Sequence, residues 1–296
     1  MSSISRASAT ALLNSVQRGL SPVELIHVPH ANWPLPRSRP LVPRETQRSL
    51  QISVLDSSFN PPTLAHLALA NAPRPSIGGE VGGEYDAKIY LLSVRNADKT
   101  LKPTDASYIQ RLEMMLLLAQ DSKSSAEVAI GIVDEPTFVG KASKLLAFLQ
   151  QRLSGLALAP PRPELTFLLG LDTLERLLAP RYYGASPSDP DAETKMFASL
   201  HQFFSPEHDN ARVVCARRAS SSSTEAATLK LGERFLSDER IVLIDIGEAE
   251  QSYSSTAVRD ALGRRDDHSW KALVSPGVRE YISKAMLYTE SATMVE

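Results

Sequence analysis

The strongest constraint in the chain is a rhythm. Short runs rich in β-branched and other apolar residues alternate with longer segments whose apolar residues recur at helical spacing. The runs 50–55, 88–94, 127–133, 165–169, 212–216 and 240–246 read as strands. Segments 64–71, 107–120, 141–153, 173–178 and 224–236 read as the helices between them, and 256–262 and 277–287 as two closing helices. Strands that alternate with helices pair in parallel, because each helix carries the chain back across the sheet. The expected fold is therefore α/β: one doubly wound, Rossmann-like, mostly parallel sheet with C-terminal helices packed beside it. With 296 residues, 43% of them hydrophobic, the chain has enough apolar surface for a substantial core.

Three stretches break the rhythm. Residues 1–48 hold a helix-like run at 9–20 and then Pro29, Pro34, Pro36, Pro40 and Pro43, which exclude continuous helix or central strand. This part reads as an extension lying over, or trailing from, a main domain at 49–290. The Gly/Pro-rich stretch 73–84 and the Pro/Asp/Ser-rich stretch 182–209 read as surface insertions. Ser220–Ser223, after Arg217 and Arg218, fits a plain turn as well as a loop that closes over phosphate.

Composition narrows the function classes. A net charge of −2 gives no general basic field, so nucleic acid is a poor default partner and any affinity for phosphate has to be local. Cys215 is the single cysteine, which rules out an internal disulfide and a multi-cysteine metal site within one chain. No apolar run reaches the ~18 residues of a membrane span. The N-terminus also lacks the charged-then-apolar order of a secretory signal, so cytosol or nucleus is the expected location.

Two segments carry chemistry. The first, Ile52-Ser-Val-Leu-Asp-Ser-Ser-Phe-Asn-Pro-Pro-Thr-Leu-Ala-His-Leu, reads as a buried strand that feeds a polar turn and then a helix. In an open α/β sheet, ligands bind beyond the carboxyl ends of the strands, where this turn lies, and a helix start there offers N–H groups to an anion. Thr63 and His66 are three residues apart, so both are expected to face one phosphate from the first helical turn. A structural Asn-Pro-Pro turn with a helix-capping histidine is the competing reading. The second segment, Tyr253-Ser-Ser-Thr-Ala-Val-Arg-Asp-Ala-Leu, sets hydroxyls before a helix with Arg259 three residues after Thr256. That composition serves as an N-cap or as an anion site.

Together the two segments resemble the signatures of the HxGH-type nucleotidyltransferase superfamily. Ser58, Phe59, Asn60, Pro61, Thr63 and His66 lie along the first, G-x-F-N-P-x-[HT]-x-x-H. Ser254, Ser255, Thr256 and Arg259 match I-S-S-T-x-x-R. Threonine at the first of the paired positions is the form of the eukaryotic nicotinamide-mononucleotide adenylyltransferases, which the chain resembles most. In two places the first segment departs from the signature: Ser57 stands where glycine is usual, and Ala65 where Gly or Met is usual.

The resemblance implies roles for further residues. His66, Thr63 and Arg259, with Ser255 and Thr256, would meet the phosphates of ATP. Lys99 or Lys102, in Ser93-Val-Arg-Asn-Ala-Asp-Lys-Thr-Leu-Lys-Pro, would reach the mononucleotide phosphate, and two solvated loop lysines are the alternative. Asp134 matches the acid of a Val-Asp-x-Trp segment whose tryptophan is missing, leaving Phe138 to stack on the substrate ring or to join the core, with the core favoured. Gly170 and Asp172 match a G-x-D segment that lies against a nucleotide. Arg111, on the helix 107–120, is expected to face solvent.

The implied reaction is adenylyl transfer from ATP to nicotinamide mononucleotide, giving NAD and pyrophosphate. Mg²⁺ would accompany ATP, bridging phosphate oxygens without a protein cage. The implied partners are ATP and a mononucleotide, with a homo-oligomer open. Three alternatives remain at this point: another phosphorylated acceptor, a nucleotide-binding regulatory protein, and a nucleotide hydrolase.

Overall fold

The computed structural model describes residues 5–37, 49–79, 81–95, 102, 104–186, 188–217 and 223–289. Among the described residues seven strands form one sheet: β1 (Val23–His27), β2 (Leu50–Asp56), β3 (Ala87–Ser93), β4 (Val128–Val133), β5 (Pro163–Gly170), β6 (Arg212–Ala216) and β7 (Ile241–Ile244). Their order across the sheet is β1-β4-β3-β2-β5-β6-β7. All neighbours are parallel except β1, which runs antiparallel along β4. Numbered from β2, the parallel strands follow the order 3-2-1-4-5-6 of the doubly wound fold, so the winding reverses between β2 and β5.

Residue alternation along the strands builds a core on each face. Ile52, Val54, Ile89, Leu91, Phe167 and Leu169 point to one side, against α4 (Phe138–Ser154), α5 (Leu171–Leu177) and α6 (Ala192–Phe204). Leu55, Tyr90, Leu92, Ile130, Ile132 and Leu168 point to the other, against α1 (Arg6–Gln17), α2 (Leu64–Ala70) and α3 (Tyr108–Gln120). Beyond α7 (Ser223–Leu231) and α8 (Glu233–Ser237), the helices α9 (Ser255–Gly263), α10 (Asp267–Lys271) and α11 (Pro276–Lys284) close over Met114 of α3 around Trp270 and Val278. Side chains cap several helix starts: Ser107 accepts the Gln110 N–H, and Ser254 accepts the Ala257 N–H at 3.1 Å.

The fold departs from the sequence reading in three places. Residues 23–27, placed there in an extension, form a strand of the sheet, and Trp33 is fully buried with its indole N–H donating to the Glu127 carbonyl at 3.0 Å. The stretch 182–209 contains α6, which buries Met196, Leu200, Phe203 and Phe204, four residues on one helical face. The pattern over 224–236 is two helices, divided at Gly232.

Because Trp33 belongs to the main core, Trp33→Ala should destabilise the whole protein by about 3–5 kcal/mol in urea unfolding, as large-to-small core changes do. A segment merely lying over the domain would lose little.

Candidate active site

The turn after β2 is held from several sides. Phe59 takes a positive φ of 45°, unusual for a residue with a side chain. Its buried ring sits 5.5 Å from the His66 ring and 6.3 Å from Tyr90, packing that offsets the backbone cost. Ser57, at the position where glycine is usual, does not have a positive φ, so the backbone there does not require glycine. The Asn60 amide N–H donates to Asp105 at 2.6 Å, and the Asn60 carbonyl oxygen Oδ1 accepts from the Ala106 N–H at 3.2 Å and the Tyr288 hydroxyl at 2.9 Å.

Thr63 and His66 do not face one phosphate together. Thr63 is fully buried, and its N–H donates to His66 Nδ1 at 3.0 Å, with its hydroxyl 2.9 Å from the same nitrogen. A nitrogen that accepts a backbone N–H carries no proton, so the ring proton sits on Nε2. That Nε2 lies 2.9 Å from Ser57 Oγ, and both side chains line the cleft beyond the strand ends. Burial pulls the His66 pKa down to about 4, leaving the ring neutral at pH 7. The start of α2 is also less available than the sequence implies: the Leu64 N–H donates to the Leu273 carbonyl at 2.9 Å. Side-chain donors of this turn, on Ser57, Ser58, Asn60 and His66, also face the cleft.

The distal segment grips the same turn. Ser254 is the cap of α9, as one reading of its composition requires. The Ser255 hydroxyl donates to the Pro61 carbonyl at 2.7 Å, and Arg259 donates to the Asn60 carbonyl at 2.5 Å and to the Thr256 hydroxyl at 3.2 Å. Ser255 is thus a latch between two segments before it is anything else. Arg259 has five N–H donors and lines the cleft with the rest of its guanidinium.

The cleft encloses about 1330 Å³ and runs along the carboxyl ends of β2, β3, β5 and β6. Ordinary small-molecule sites reach roughly 1,000 Å³, so there is room for two nucleotide-sized ligands. Among the described residues, eight basic side chains line it against five acidic ones, an excess opposite in sign to the chain's overall −2. A polyphosphate would be drawn to this place and not to the surface at large.

Of the remaining sequence candidates, Ser58, Asn60, Lys102, Gly170, Asp172, Ser254, Ser255 and Thr256 line the cleft. A Cβ on Gly170 would meet nothing within 4 Å, so open space lies over that backbone. Asp134 does not line the cleft. It holds Arg95, which does, through two bonds of 2.9 and 2.6 Å, and that pairing lowers the Asp134 pKa. Phe138 lines the cleft and also packs edge-on against core residue Phe167 at 5.8 Å. Lys99 lies outside the described residues, as do Arg218 and residues 220–222; Arg217 lines the cleft.

Arg111 corrects the expectation of solvent exposure. It is buried, donates to the carbonyls of Ala106 at 2.9 Å and Ser58 at 3.3 Å, and lies 3.7 Å from Asp105. Sequence reasoning also missed a buried ion pair at the end of β2, where Lys141 of α4 meets Asp56 at 2.6 Å. Both side chains are only 6% exposed, and nothing local in the sequence signals a pair 85 residues apart.

No protein-family model matches the chain. Over 249 residues the chain is 28% identical to a Schizosaccharomyces pombe protein named "Putative nicotinamide mononucleotide adenylyltransferase", covering 80% of this chain and 86% of that one. The chain resembles the nucleotidyltransferases. Among solved structures, Thermotoga maritima TmcAL, crystallised with alpha-thio ATP, overlays with a TM-score of 0.40 at 13% identity over 80% of this chain. The chain spans 56% of the length of that protein. Set against the nucleotidyltransferase signatures, His66, Asn60 and Arg259 meet at one turn.

The His66 ring makes a pH prediction. Its pKa in the folded protein lies below the ordinary histidine value of about 6.5, so the unfolded chain binds the extra proton first. This group's contribution to stability should therefore be complete above about pH 6.5 and decline as the pH falls toward 4. NMR titration should find the ring neutral and protonated at Nε2 at pH 6. A midpoint near 6.5 would contradict this reading.

Proposed function

We propose that the protein transfers the adenylyl group of ATP to nicotinamide mononucleotide, releasing NAD and pyrophosphate. The observation that carries the reading is the convergence, at one turn beyond the carboxyl end of β2, of His66 from the first segment and Arg259 from the second. The named likeness to the S. pombe protein supports the choice of substrates.

In this reaction a phosphate oxygen of the mononucleotide attacks the α-phosphorus of ATP, the bond to the β-phosphate breaks, and pyrophosphate leaves. No covalent bond to the protein is needed. The barrier lies in bringing two anions together and in the charge that gathers on the departing pyrophosphate, so fixed cations and donors are what the chain can supply. On this reading Arg259 neutralises the leaving phosphates, the turn at 57–66 binds the triphosphate, and Lys102 and Arg95 lie on the acceptor side. The open backbone at Gly170 and the carboxylate of Asp172 take the nucleoside portions.

Mg²⁺ belongs to the proposal as a companion of ATP. Among the described residues no three His, Cys, Asp or Glu side chains group to hold a metal. The Asp56 carboxylate is engaged by Lys141. Phosphate oxygens and water would hold the ion instead.

One feature favours a different acceptor in the same reaction. Lys141 Nζ sits 4.8 Å from the centre of the Phe138 ring, so a cation occupies one of its two faces and leaves less of the ring for stacking on a pyridine.

The test is to incubate the protein with ATP, Mg²⁺ and nicotinamide mononucleotide and to follow NAD and pyrophosphate together. The two should appear in equal amounts, and Arg259→Ala should lower kcat/KM by about a hundredfold or more. Pyrophosphate without NAD would direct attention to another acceptor or to hydrolysis. ATP binding without turnover would make the protein a nucleotide sensor.

A further inference from the structure

His66 as placed here has nothing left to give a phosphate directly. A neutral imidazole has one N–H, and with Nδ1 accepting from Thr63 that N–H is on Nε2 and points at Ser57 Oγ, 2.9 Å away. A hydroxyl that accepts one hydrogen bond still has its own proton to donate. Among the described residues no protein acceptor takes the Ser57 proton, and Ser57 lines the cleft beside Ser58 and Asn60. The chain of donors runs in one direction, from Thr63 N–H to His66, from His66 Nε2–H to Ser57, and from Ser57 outward.

We infer that the Ser57 hydroxyl, polarised by His66, is the group that donates to a phosphate oxygen at this turn, so that His66 acts on the phosphate through Ser57. The inference rests on the adenylyl-transfer reading only in taking the ligand at the turn to be a phosphate. Hydrogen bonds in a chain polarise one another, which strengthens the outermost donor when the acceptor is anionic. The arrangement gives a purpose to the serine that replaces the usual glycine: it extends the reach of a histidine whose ring is fixed by Thr63.

The experiment measures Mg-ATP binding to the full chain by calorimetry for wild type, Ser57→Ala, Ser57→Gly, Ser57→Thr, His66→Ala and the Ser57→Ala/His66→Ala double variant. Thermal unfolding verifies that each is folded. If Ser57 carries the bond, Ser57→Ala, Ser57→Gly and His66→Ala each weaken binding by about tenfold or more. The double variant is then no worse than either single one, because both remove the same chain, and Ser57→Thr binds like wild type. If His66→Ala weakens binding while Ser57→Ala and Ser57→Gly leave it unchanged or tighten it, His66 meets the phosphate itself and the inference is overturned. If neither His66 nor Ser57 variants alter binding, no phosphate sits at this turn, and the adenylyl-transfer reading fails along with the inference.

Discussion

Two hydrogen bonds hold the candidate site together across most of the chain's length. The Ser255 hydroxyl reaches the Pro61 carbonyl across 194 positions, and Arg259 reaches the Asn60 carbonyl across 199. The turn they grip cannot hold its shape by local interactions alone: it contains a positive-φ phenylalanine and two successive prolines, and its Asn60 depends on Asp105, Ala106 and Tyr288. The C-terminal helices thus complete the turn as well as covering α3. A change in their packing would reach the cleft through Asn60 and Pro61 with no contact to any ligand.

The same economy governs charge. Arg111 and Lys141 are basic side chains removed almost entirely from water, each next to a carboxylate, Asp105 and Asp56 respectively. Taking such groups out of solvent costs several kcal/mol per ion, and pairing alone does not always return it. Both pairs border the cleft, one at the end of β2 and the other against the Ser58 carbonyl.

The sheet was legible in the sequence because each central strand is an apolar run too short for a helix of the core and alternates with longer segments at helical spacing. Strand β1 was not legible. Its five residues, Val-Glu-Leu-Ile-His, are mostly half-buried, lie at an edge and precede a proline-rich stretch, so only pairing with β4 defines them. Helix α6 was hidden by the Pro, Asp and Ser residues before it, although Met196, Leu200, Phe203 and Phe204 already carried the helical period. In the site, His66, Asn60 and Arg259 were readable because residue type and spacing travel with the turn and the helix start. The inward direction of Thr63, the burial of Arg111 and the Asp56–Lys141 pair were not, because each is set by a partner that only the tertiary fold brings near.

On the proposed function, two segments nearly two hundred residues apart form one phosphate-binding unit. Hydrogen–deuterium exchange with and without Mg-ATP tests it most directly. ATP should slow exchange at residues 56–66 and 254–259 together, in the same range of ligand concentration, and leave the edge strand at 23–27 unchanged. Slowing at only one of the two segments, or at neither while ATP is bound, would contradict it.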